Sequence, residues 1–112
     1  MAIPRVIRLA HARRDLDDIW RYLEREAGPE IADAVLARIV EVVYRAADRP
    51  LIHRRRHEYL GAPRPVNALR YAIFFEPLPE GDGIFVWRVI HDARDLPRLV
   101  RRPLFPNNGN EG

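Results

Sequence analysis

The spacing of apolar residues changes character along the chain, and each change marks an element. Residues 3 to 9, Ile-Pro-Arg-Val-Ile-Arg-Leu, are dense in β-branched side chains, with an early proline that suits an edge strand or a strand's first residues. From Ala12 the apolar positions recur at three and four: Ala12, Leu16, Ile19, Trp20, Leu23 and Ala27, with Asp15, Asp17, Asp18, Glu24 and Arg25 around the other side. That period predicts an amphipathic helix whose three aspartates lie near its positive N-terminal end. Gly28-Pro29 stops this helix and starts another, since proline is tolerated in a first helical turn where its missing N–H has no partner anyway. The second helix, about Pro29 to Asp48, carries Ile31, Ala34, Val35, Ile39, Val42, Val43 and Ala46 as a broad apolar face. Two helices joined by one Gly-Pro make an antiparallel hairpin.

Beyond Pro50 the period shortens. A basic segment, Leu51 to Arg56, leads to the loop Gly61-Ala62-Pro63-Arg64-Pro65. Residues 69 to 76 alternate with period two, placing Leu69, Tyr71, Ile73 and Phe75 on one face and Arg70, Phe74 and Glu76 on the other. The turn-forming run Pro77 to Gly83 follows. Residues 84 to 91 then read as a strand with Ile84, Val86, Arg88 and Ile90 on one face and Phe85, Trp87, Val89 and His91 on the other. This hairpin is apolar on both faces. One should pack on the helices, and the other should be covered by the tail around Leu96 to Phe105 or by a partner. We expect one domain over residues 1–106. Residues 107–112, Asn-Asn-Gly-Asn-Glu-Gly, have nothing to bury and are expected to be disordered.

Composition narrows the class. The 112 residues suffice for one core, and 47% hydrophobic with 31% charged content excludes fibrous and wholly disordered chains. The absence of cysteine excludes a disulfide scaffold, a thiolate metal site and a thiol nucleophile. No apolar run approaches the ~20 residues that span a bilayer, and no signal-peptide pattern opens the chain, so a cytoplasmic protein is expected. All 19 basic residues are arginine, which a GC-rich coding sequence explains. Their distribution says more. Residues 1–50 balance nine Arg against nine acids, whereas residues 51–71 hold five Arg, two His and only Glu58 as an acid. Such a patch attracts anionic partners, whether nucleic acid or acidic protein.

Three local motifs, in order, carry a resemblance. They are Ala12-x-x-Asp15-Leu16-x-x-Ile19-Trp20-x-Tyr22; Arg64 followed by Tyr71-x-Ile73-x-Phe75; and Arg88-Val89-Ile90-His91-Asp92-Ala93-Arg94-Asp95-Leu96. Over roughly residues 3 to 96 the chain resembles the ParE toxins of type II toxin-antitoxin operons, within the RelE/ParE superfamily. The resemblance implies an α+β fold, β-α-α-β-β-β, with a helical hairpin packed on a small, mostly antiparallel sheet. Two departures stand out. Leu9-Ala10-His11 replaces the frequent Ser/Thr-Pro ahead of the first helix, removing a side-chain N-cap, and Phe75 stands where tyrosine is frequent.

By that resemblance the protein is expected to be a toxin of a plasmid-stabilisation, ParDE-like pair that inhibits DNA gyrase, neutralised by a cognate ParD-like antitoxin. It would meet operator DNA only through the antitoxin, and no membrane is implied. The antitoxin's flexible, acid-bearing C-terminal segment should order on the helical hairpin and the adjoining sheet edge. Expected partner contacts are Arg54, Arg56, Arg64, Arg70, Arg88, His91 and Arg94. Arg64 is singled out because a large cation in a Pro-rich loop has no local packing reason to be there. Asp15, Leu16 and Trp20 have plain structural readings, as helix start and core stripe. At the end of the last strand, Asp92 or Asp95 pairing with Arg88 or Arg94 would make a hydrogen-bonded corner around His91.

The alternative is a RelE-like ribosome-dependent messenger-RNA endoribonuclease, which needs a base, a cation and an acid around the scissile phosphate. Arg56, His57, Glu58, Arg70, His91 and Arg94 offer the types, but residues 97–112 hold no Tyr, His or Lys, where such nucleases often place an acid/base residue. A non-toxic, antitoxin-binding relative is a third reading. No catalytic residue and no cofactor are assigned. His53 and His57, four apart, sit among arginines that oppose a bound cation, so no metal is assigned either.

Overall fold

The computed structural model describes residues 3–52, 55 and 64–93. Within them the order is β1 (Arg5–Arg8), α1 (Ala10–Ala27), α2 (Pro29–Asp48), a short 3-10 turn (Pro50–Ile52), β2 (Arg64–Ala68), β3 (Tyr71–Pro77) and β4 (Gly83–His91). The four strands form one mixed sheet in the order β1-β4-β3-β2. β1 runs parallel to β4, while β2–β3 and β3–β4 are antiparallel, so the fold is the expected α+β arrangement. The predicted disordered tail at 107–112 lies outside the described residues, as does the segment from Leu96 to Phe105 proposed to cover the second sheet face.

The helical hairpin follows from its punctuation. Gly28, at φ 96°, adopts a left-handed backbone that side-chain-bearing residues resist; its N–H closes α1 on the Glu24 carbonyl at 3.0 Å, and its carbonyl opens α2 by accepting from Ala32 at 3.1 Å. Pro29 then occupies the first turn of α2. α1 begins at Ala10 behind an uncapped Leu9, consistent with the missing Ser/Thr. This start corrects the role expected for the three aspartates. No acid lies in the first turn, so Asp15 acts through a tertiary contact and not through the helix dipole.

Ile39, Val43, Ala46, Tyr71, Ile73, Phe75, Ile84, Val86 and Val89 build the core between helices and sheet, with Ile73, Phe75 and Ile84 fully buried. The broad face expected on α2 is narrower than its sequence period implies. Ile31 is 49% exposed and Ala34 is exposed, and the buried face instead includes Ala32 and Ala47. Ala72, Phe74 and Ile90 are buried outside this cluster, with Ala72 and Phe74 on the opposite face of β3. Both faces of the hairpin therefore carry buried apolar residues.

Two strand readings change. Leu69 and Arg70 are the two-residue turn between β2 and β3, not the start of β3; Leu69 takes φ 55° and is 59% exposed. Arg64 lies not in a loop but at the head of β2, paired in register with Phe75. The alternation expected along β4 also breaks. Phe74 pairs with Arg88 but Phe75 pairs with Val86, so Trp87 is an extra residue and the strand bulges there. The bulge reverses facing: Ile84 and Val86 enter the core before it, and Val89 enters after it. Phe85 and Trp87, on the face that the strict alternation shares with Val89, are half-buried and outside that cluster.

The parallel β1–β4 pairing depends on a close approach at Gly83, where an added Cβ would sit 1.8 Å from the Arg5 carbonyl oxygen. Gly83→Ala should therefore push β1 off the sheet and cost about 2 kcal/mol or more. Thermal unfolding followed by circular dichroism should show a loss of roughly 10 °C. The cost at Gly81→Ala, where nothing lies within 4 Å, should be confined to backbone strain of about 1 kcal/mol at φ 77°.

Candidate partner-binding surfaces

One carboxylate ties the first helix to the bulged strand. Asp15 accepts from Arg88 Nε at 2.7 Å and from Arg88 Nη2 at 3.0 Å, a fork-to-fork pair, and also accepts from the Val89 backbone N–H at 2.9 Å. The side chains of Asp15 and Arg88 are only 14% and 22% exposed, so water does little to replace this contact. Within the corner expected from sequence, Arg88 pairs with Asp15 of α1, while Arg94 and Asp95 lie outside the described residues. The Asp92 N–H donates to the Arg70 carbonyl at 2.8 Å, closing the end of β4 on the β2–β3 turn. His91 packs edge-on against Tyr71, with ring centroids 5.5 Å apart.

A second polar group lies toward the other end of the sheet. Glu76 near the end of β3 receives Arg55 Nη1 at 2.6 Å and has Arg64 Nε at 3.9 Å. Arg64 therefore has the local reason to be present that the loop reading lacked: it is 14% exposed beside a carboxylate that is 17% exposed. Leu9, Pro77, Pro79, Phe85 and Trp87 join Arg55 and Glu76 around an open hollow of about 430 Å³. On the helical side a smaller cleft of about 150 Å³ opens between β1 and α2, lined by Val6, Arg8, Val40, Val43 and Tyr44 among others. Trp20, read as core, is half-buried, and its indole N–H reaches across the hairpin to Asp33 at 2.8 Å.

Among the described residues, the expected contact residues do not form one patch. Arg70 and His91 lie together at one end of the sheet, Arg64 lies with Glu76 toward the other, and Arg88 is engaged by Asp15. Arg54, Arg56 and Arg94 lie outside the described residues, as do His53, His57 and Asp95. Sequence reasoning missed Arg8, Val40 and Tyr44, the rim of the smaller cleft. Their signal is weak, being two apolar residues one helical turn apart on a face otherwise read as solvated. Among the described residues no group of three His, Asp or Glu side chains converges as a metal site, and no helix is long and apolar enough to cross a membrane. What the arrangement offers is arginines locked to carboxylates beside apolar hollows, a surface suited to holding another chain.

Comparison with known proteins agrees with this geometry. The sequence model for the ParE toxin of the type II toxin-antitoxin system parDE matches residues 6–96, which span β1 through the end of β4. The chain belongs to this family: it is a ParE-type toxin of a type II toxin-antitoxin system. A solved structure described as the chromosomal ParDE toxin-antitoxin system from P. aeruginosa superposes with a TM-score of 0.66 at 21% identity, covering 80% of this chain and 96% of that one, and shows the same fold. No curated protein matches.

His91 gives a test of how this corner works. As an edge-to-face partner of Tyr71, its replacement by alanine should cost about 0.5–1.5 kcal/mol, with any toxicity falling only in step with the folded fraction. Thermal melts alongside growth assays check it. A His91→Ala protein that melts like the parent but has lost an RNA-cleaving activity would assign the imidazole to chemistry instead.

Proposed function

We propose that this protein binds DNA gyrase and traps it on cleaved DNA, making and breaking no bond of its own, and that a ParD-like antitoxin encoded beside it holds it inactive. The observation that carries the reading is the family match across residues 6–96. A second point supports it. Arg88, one of the two arginines of the third motif, is committed to Asp15 through a bidentate pair. The tail beyond residue 96 also lacks Tyr, His and Lys, which weighs against the ribonuclease reading.

In this proposal the antitoxin's acid-bearing C-terminal segment orders on the helical hairpin and the adjoining sheet edge, with Arg54, Arg56 and Arg64 as candidate partners for its carboxylates. Operator DNA is met only through the antitoxin, the pair acts in plasmid stabilisation, and the toxin works in the cytoplasm. Pulse labelling after induction without antitoxin tests the target. Thymidine incorporation should stop and the DNA-damage response should rise before methionine incorporation falls. Collapse of methionine incorporation within minutes, while thymidine incorporation continues, would replace gyrase with messenger RNA as the target.

A further inference from the structure

The sheet packs one face on the helices and turns the other away from them. Tyr71, Ile73 and Phe75 enter the core, so alternation sends Ala72, Phe74 and Glu76 of β3 to the far face, and Phe85, in register with Glu76, joins them there. On this side Phe85 and Trp87, with Leu9, Pro77 and Pro79, line the open hollow of about 430 Å³, within the ~300–1,000 Å³ range of clefts that hold a ligand. Its two charged residues, Arg55 and Glu76, bind each other at 2.6 Å. Among the described residues no further charged side chain lines it. Rings and prolines around a neutralised ion pair suit an apolar stretch of chain better than an anion or a polar small molecule.

The chain carries such a stretch. β4 ends at His91, the described residues end at Ala93, and the family match stops at residue 96. Beyond lies Arg101-Arg102-Pro103-Leu104-Phe105-Pro106. Prolines three apart favour polyproline II, whose three-residue turn sets Pro103 and Pro106 on one edge; segments of this kind dock in aromatic-lined grooves because they have little conformational freedom left to lose. The reach is sufficient. Phe85 to Ala93 is eight positions, about 26 Å at ~3.3 Å per strand residue. Ala93 to Pro103 is ten, which spans up to ~33–36 Å when extended. A segment on so short a tether competes for the hollow at an effective concentration near the millimolar range, ahead of a partner arriving from solution.

We propose that the far-face hollow is the seat of this chain's own Pro103–Pro106 segment. Pro103 and Pro106 lie against the rings of Trp87 and Phe85, Leu104 and Phe105 close over Pro77 and Pro79, and Arg101 and Arg102 stay in water. The tail then straps the β3–β4 hairpin on the side that the helices leave open, and covers apolar surface that would otherwise invite association. The strap lies outside the matched residues 6–96 and holds whichever target the toxin has.

Two measurements on the full-length toxin, free of antitoxin and at low concentration, test this. Nuclear Overhauser contacts should link the Trp87 indole to the side chains of Pro103 and Pro106. A Leu104→Ser/Phe105→Ser double variant should lose those contacts and melt about 4–8 °C below the parent, as expected when two partly buried apolar side chains are removed. Arg101→Ser, in the same tail, should melt with the parent. No contact between Trp87 and residues 103–106, or a double variant that melts with the parent, overturns the proposal. Contacts that pass between differently labelled molecules assign the hollow to a second copy's tail, and contacts seen only once antitoxin is bound assign the ordering to the antitoxin; either result overturns the seat as an intrachain one.

Discussion

The contact between Asp15 and the Arg88–Val89 pair is the constraint on which the arrangement of helices and sheet rests. A bulge leaves its strand locally short of ladder partners, and here a carboxylate from α1 takes the Val89 amide beside the bulge together with the guanidinium that precedes it. Because the bulge reverses the facing of β4, Val86 and Val89 both reach the core although only Trp87 and Arg88 lie between them. Without the extra residue Trp87, a strict alternation would turn either Ile84 and Val86 or Val89 away from the helices. The clamp therefore fixes the angle at which the hairpin meets the sheet, and with it the cleft between α2 and β1.

Much of this was legible in the sequence where a period persists. α2 falls on Pro29–Asp48 as its Gly-Pro start and Pro50 end dictate, and α1 emerges from the run of Ala12, Leu16 and Ile19. β2 was not legible, because Arg-Pro-Val-Asn-Ala has neither alternation nor a dense β-branched run; it is a strand because Leu69 turns the chain so that it can pair with β3. The bulge was hidden for a similar reason, since a period-two reading of Phe85 through His91 has no place for one surplus residue. The Asp15–Arg88 pair spans 73 positions, and no local spacing reports a partner that distant. Each motif displayed one member of the pair while the structural reason for both lay in the fold.

The surfaces have a common logic. Arginine is abundant, yet Arg5, Arg38, Arg45, Arg55 and Arg88 are each held by a carboxylate, which orients the cation and leaves apolar hollows between the pairs. Most of these pairs are exposed and contribute little to stability, whereas the Asp15–Arg88 contact is shielded on both sides and resists screening. A ParE-type toxin built this way presents oriented positive charge beside apolar surface on a rigid frame, which suits recognition of an acidic, partly apolar chain.

The central claim, that this clamp locks the hairpin to the sheet, is tested most directly by a double-mutant cycle on Asp15 and Arg88, using Asp15→Ala, Arg88→Ala and the pair, with stability read from urea unfolding. The account predicts that the single changes are each destabilising and that the double change costs less than their sum, with a coupling energy of about 1.5–3 kcal/mol. Costs that add to within about 0.5 kcal/mol would contradict it, because two residues that hold each other in place cannot be lost independently.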